Sequence, residues 1–135
     1  MKTITSFKGI ISTCTVSLVL LLTACSKGGD PTPAQVQPTI TTNAATSISS
    51  TSASLGGNVT SLGNQNIQAR GFVMATSANP TMSDLIELAS GSGLGPYTIA
   101  STRTLVPNTL YHVRAFIQTD TGVTYGNDIT FTTLP

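Results

Sequence analysis

The chain has no tryptophan, a single histidine and two cysteines, and charged residues make up only 8% of it. Each scarcity closes a class of chemistry. Nucleic-acid binding needs a cluster of Lys or Arg to displace phosphate counterions, and six basic residues against five acidic, scattered over 135 positions, form no such patch. Cys14 and Cys25 both fall near the N-terminus, so the rest of the chain has no thiol and no disulfide, and must fold on its hydrophobic core alone. With no cysteine and no histidine cluster in that remainder, a structural zinc site is excluded and no metal or other cofactor is expected.

Apolar runs are short as well. Met1-Lys2 and Lys8 carry positive charge ahead of an apolar stretch from Ile10 to Leu22. That is the layout of a secretory signal peptide. Ile10 to Ala24 is 15 residues, roughly 22 Å as a helix, which falls short of a hydrocarbon layer of about 30 Å. The stretch ends in Leu22-Thr23-Ala24-Cys25, which resembles the lipobox of bacterial lipoproteins. The resemblance implies cleavage after residue 24, a diacylglyceryl group on the Cys25 thiol and acylation of the new amino terminus. One acyl chain holds a protein to a bilayer only marginally, whereas two or three give lasting anchorage. Ser26 rather than Asp follows Cys25, which by the same resemblance implies an outer-membrane destination. Asp30 is the sole acid near the anchor, so display on either face of that membrane stays open.

Ser26 to Pro38 holds Gly28, Gly29, Pro31, Pro33 and Pro38 and reads as a tether. Its 13 residues reach about 40 Å when extended. The organisation expected is therefore a signal peptide over 1–24, a lipidated Cys25 with its tether over 25–38, and one domain over 39–135.

That domain is rich in Ser and Thr, 29 of its 97 residues against seven charged ones, a composition favouring strands over helices. Ala53, Leu55, Gly57 and Val59 alternate with polar neighbours from Ser52 to Thr60. Tyr111, Val113, Ala115 and Ile117 alternate with His112, Arg114, Phe116 and Gln118. Ile129 and Phe131 do the same with Thr130 and Thr132. Further strands are expected at 39–43, 67–76 and 97–103. Met82, Leu85, Ile86 and Ala89 have helical spacing behind a potential capping box from Thr81 to Asp84, so this segment is either one helical turn or a short edge strand. Strands separated by Gly, Asn and Pro at such spacing predict an all-β sandwich of about seven strands.

One motif narrows the fold. Leu105-Val-Pro107-Asn-Thr109-Leu-Tyr111 resembles the L-x-P-x-T-x-Y signature of fibronectin type III domains, which are immunoglobulin-like β-sandwiches. The resemblance implies a tyrosine corner, with the ring of Tyr111 buried and its hydroxyl bonded to upstream backbone. Leu55-Gly-Gly-Asn-Val59, Arg70-Gly-Phe72, Asn79-Pro-Thr81, Gly93-Leu-Gly95-Pro-Tyr97 and Tyr125-Gly-Asn127 extend the likeness toward lipoproteins carrying this fold. The tryptophan that such domains bury on the second strand is missing here, and Phe72, Tyr97 or Phe131 must fill its volume.

Catalytic constellations are sparse. Gly91-Ser-Gly93-Leu-Gly95-Pro96 lacks the spacing and the Lys of a phosphate loop. Asp84 and Glu87 lack the aromatic cleft of a glycosidase pair and read as solvated charges. His112 is the only base on which a Ser-His-Asp arrangement would have to be built. The expected role is noncatalytic recognition of a protein or glycan partner by a lipid-anchored adhesion module; the alternative is a structural spacer within an envelope complex. A candidate interaction face is Arg70, Phe72, His112, Arg114 and Phe116, provided these alternate outward together. The opposite phase buries Phe72 in place of the missing tryptophan.

Overall fold

The computed structural model describes residues 32–135, and the signal peptide, Cys25 and the first residues of the tether lie outside the described residues. Among the described residues eight strands form, in the order β1 (Thr39–Thr46), β2 (Ser54–Ser61), β3 (Ile67–Ala75), β4 (Leu85–Ala89), β5 (Gly95–Ala100), β6 (Leu110–Thr119), β7 (Val123–Tyr125) and β8 (Ile129–Thr132). β1, β2 and β5 make one antiparallel sheet; β4, β3, β6 and β7 make the other, with β8 also paired to β6. The fold is an all-β, fibronectin type III-like sandwich. The eighth strand is half of an expected seventh. Phe116 pairs with Tyr125 and Val113 with Ile129, so two residues of β6 face three of the opposing chain across a bulge at Gly126–Asp128.

The alternating patterns read from the sequence place the core. Ala53, just before β2, and Leu55 and Val59 of β2 meet Phe72 and Met74 of β3, Val113, Ala115 and Ile117 of β6, and Phe131 of β8. Tyr97 on β5 lies directly opposite Gly57, and a side chain added at Gly57 would come within 3.0 Å of its ring. The phenol ring therefore occupies space that glycine leaves on the second strand. Its centroid lies 5.2 Å from that of Phe72, so these two rings together fill the volume of the absent tryptophan. The corner motif forms as the resemblance implied: Leu105 and Tyr111 are buried, and the Tyr111 hydroxyl accepts the Val106 amide at 3.0 Å. Phe131 stacks on the other side of that ring, centroids 5.7 Å apart.

Three expectations need amendment. Ala34 to Pro38 join the folded unit rather than the tether, because the turn after β2 captures them: the Val36 amide donates to Asn64 Oδ1 at 2.8 Å and the Asn64 amide to the Val36 carbonyl at 3.2 Å. Gly63 permits this approach, since its φ is +61° and a Cβ there would lie 2.0 Å from the Val36 oxygen. The strand expected over 97–103 ends at Ala100. Glu87, which is 2% exposed rather than solvated, draws the following residues away from the ladder: its Oε1 accepts from the Ser101 hydroxyl and from the Thr102 and Arg103 amides, and its Oε2 from the Thr102 hydroxyl at 2.6 Å. The segment from Met82, open between a helical turn and a short edge strand, takes the second form: a turn leads into edge strand β4. Asp84 bonds the Thr81 amide at 2.8 Å, as a capping box would, but β4 then pairs with β3 from Leu85 onward and no helix follows.

Two tests follow from this packing. Phe72→Ala should lower the unfolding free energy by about 3 to 5 kcal/mol in urea titration, since a fully buried ring is lost from a core with no spare aromatic. Burial pushes the Tyr97 phenol up to about 12 from an ordinary 10.0, with the Arg70 guanidinium pulling the other way. A raised folded-state value means that this contribution is complete below about pH 10 and is lost as pH rises through about 12. Urea midpoints should fall across that interval, and Tyr97→Phe should flatten the fall.

Candidate binding site

Strand direction divides the domain into two poles. Thr39, Ser61, Ile67 and Thr119 lie at one pole, together with Ala34 and Val36 bonded to Asn64; Ala75, Leu85, Leu110 and Thr132 lie at the other. β3 has nine residues, which puts the poles about 30 Å apart.

The connection from β3 to β4, Thr76 to Asp84, shapes that far pole. It joins adjacent strands, yet it reaches across the outer face of the larger sheet to the opposite edge. The Asn79 amide donates to Asp128 Oδ2 at 2.8 Å, and the Met82 amide to the Tyr125 hydroxyl at 3.0 Å. Since β3 and β6 lie between β4 and β7, this strap crosses both strands. Val73 and Phe116 lie on this outer face and are fully buried, as is Pro80 of the strap. With its apex pulled to the outer face, the strap leaves open the end of the sandwich between its two stalks. A shallow depression of about 480 Å³ results, with Met74 and Tyr111 at its base, Thr76 and Ser77 on one stalk, and Ser83, Asp84 and Leu85 on the other. The exposed side chains of Leu85, Val106, Leu110 and Leu134 belong to the same pole.

The five residues expected to form an interaction face do not share one. Phe72 takes the inward phase. Arg70, two residues away on the same side of β3, therefore also turns between the sheets: its guanidinium lies 4.4 Å from the centre of the Tyr97 ring and donates to the carbonyls of Ser90 and Gly93 at 2.9 Å. A bulge between Ile67 and Ala69 sets this phase, letting both Ile67 and Arg70 point inward. His112, Arg114 and Phe116 do lie on the outer face of β6, but Phe116 is covered. Arg114 donates to the Gly126 carbonyl at 2.9 Å and sits 4.7 Å from the centre of the Tyr125 ring. His112 Nδ1 lies 2.9 Å from Asp128 Oδ2. A carboxylate can only accept, so the Nδ1 proton belongs to this bond.

His112 thus has the acid partner of a Ser-His-Asp arrangement, but none of the hydrogen bonds among the described residues joins its ring to a hydroxyl. No group of three or more His, Cys, Asp or Glu among the described residues is placed to hold a metal ion. Sequence reading missed the strap. Asn79-Pro-Thr81 and Tyr125-Gly-Asn127 stood out in it, but nothing in their spacing shows that the two segments meet. Tyr125→Phe removes the acceptor for the Met82 amide and should cost about 1 kcal/mol in chemical unfolding, with faster hydrogen exchange concentrated in residues 77–84.

No protein-family model matches the chain, and no curated protein is significantly similar to it. Solved structures are. The sensor domain of the anti-sigma factor RsgI4 from Pseudobacteroides cellulosolvens superposes with a TM-score of 0.55 at 21% identity, covering 73% of this chain and 96% of that domain. A solution structure of the same sensor domain gives 0.51 at 20% identity, covering 73% and 76%. The fibronectin type III domain of human fibronectin type III domain containing protein 3 gives 0.47 at 19% identity, covering 80% and 94%. At such identities the likeness is one of fold: the described chain shares the β-sandwich architecture of the RsgI4 sensor domain.

Proposed function

We propose that the protein is a lipid-anchored, noncatalytic recognition module of the bacterial cell envelope, attached to the outer membrane through Cys25 and binding a protein or glycan partner at its far pole. One observation carries the reading: the depression between the strap stalks lies at the pole opposite the tether. A domain held through Ala34, beside Asn64 at the opposite pole, would keep the depression away from the bilayer. The depression combines an apolar base of Met74 and Tyr111 with hydroxyls from Thr76, Ser77 and Ser83 and the carboxylate of Asp84, which suits a partner offering both apolar surface and hydrogen-bond donors. The walls are preorganised by bonds that cross the sheet, which reduces the ordering cost of association. A sensing role, of the kind borne by the RsgI4 sensor domain in its own protein, is one form of such recognition.

The structural-spacer alternative draws on the exposed Val106, Leu110 and Leu134, which would be buried in a permanent envelope complex.

The anchor and the display are tested together. Labelled palmitate should be incorporated into the wild-type protein and lost in Cys25→Ala. Protease added to intact cells, followed with an antibody to the last strand and a periplasmic control protein, should digest the domain if it is displayed outside. Protection until lysis would overturn surface adhesion and direct the search for partners to the periplasm.

A further inference from the structure

The depression owes its open form to the strap, and the strap is fastened at its apex by the carboxylate of Asp128. Asp128 Oδ2 accepts two donors, the Asn79 amide at 2.8 Å and His112 Nδ1 at 2.9 Å. Its other oxygen, Oδ1, is buried and has no partner. Both side chains are 19% exposed, so water screens the pair only in part. A partly buried carboxylate with one oxygen unbonded is costly unless positive charge stands beside it.

From the geometry we infer that His112, Asp128 and the Asn79 amide form a proton-operated latch that governs how firmly the strap is held, and thereby the shape of the far-pole depression. The inference rests on the recognition reading only in giving the depression a purpose. Imidazole is the side chain that ordinarily changes charge between about pH 5 and 8. When His112 is protonated, its charge lies against Oδ2, holding Asp128 ionised and turned toward the Asn79 amide. When His112 is neutral, the charge against Oδ2 is gone. The carboxylate is then better solvated by turning to water, which releases Asn79.

The neighbouring groups do not replace this control. Arg114 is engaged with the Gly126 carbonyl and the Tyr125 ring, Tyr125 with the Met82 amide, and Asp84 with Thr81. β3 contributes only the uncharged Ala75 and Val73 opposite His112 and Arg114. Glu87 of β4 points to the other side of the sheet, into the loop after β5.

The test is amide hydrogen exchange by NMR on the folded domain, residues 34–135, with rates corrected for intrinsic pH dependence. Protection of the Asn79 amide should rise about five-fold between pH 8 and pH 6 while that of Ala115, bonded to Thr42 in the core, stays constant. His112→Gln keeps a donor but cannot change charge, and should make the Asn79 profile flat. Asp128→Asn should lower Asn79 protection at every pH. A flat wild-type profile, or a pH response that survives His112→Gln, would overturn the latch. Either result is separate from the recognition reading, which fails instead if substitutions at Ser77, Ser83 and Asp84 leave partner binding unchanged.

Discussion

The sandwich depends on a tyrosine hydroxyl that reaches backbone from inside the core. Tyr111 closes the crossover between the sheets by accepting the Val106 amide, and the same economy recurs at the other two tyrosines. Tyr97 fills the space over Gly57 and donates to the Gly71 carbonyl in the opposite sheet, while Tyr125 holds the strap by the Met82 amide. With no disulfide and no tryptophan, each phenol supplies both buried area and a fixed distance between two segments remote in sequence. A phenylalanine would supply the area alone.

Charge is used in the same way. Apart from the His112–Asp128 pair, the few ionic groups spend much of their hydrogen-bonding capacity on backbone. Glu87 gathers residues 101–103, Arg70 the loop at Ser90 and Gly93, Arg114 the bulge at Gly126, and Asp128 the strap. Asn127 does the same without charge, its side-chain amide bonding both the amide and carbonyl of Thr42 and so joining the bulged edge to β1 of the other sheet. Gly126 beside it must remain glycine, because a Cβ would lie 2.6 Å from the Thr42 hydroxyl. Loops that composition alone would leave loose are therefore held at defined points.

Much of the fold was legible because it rests on local pattern. Alternation along 52–60 and 111–118 put the right residues in the core, and the corner motif identified both the turn and the arrangement of sheets. What failed was whatever depended on one inserted residue or on a distant partner. The bulge at Gln68 shifts the phase of β3, sending Arg70 inward with Phe72, and the bulge at Gly126–Asp128 splits the last strand. Phe116 has an outward pattern and was assigned to the surface, yet a strap from elsewhere in the chain buries it. Glu87 resembles any solvated acid until residues 101–103 are brought to it. Periodicity describes an element's own faces and carries no information about what crosses them.

The placement of tether and depression at opposite poles also has a mechanical consequence. If the far pole is gripped while the chain ahead of Ala34 is held, tension passes the Val36–Asn64 bonds into β1 and runs along the strands, at right angles to the β1–β2 ladder bonds. Those bonds then share the load in shear instead of parting one after another. The same topology that exposes the depression would let the domain carry a load applied between its two poles.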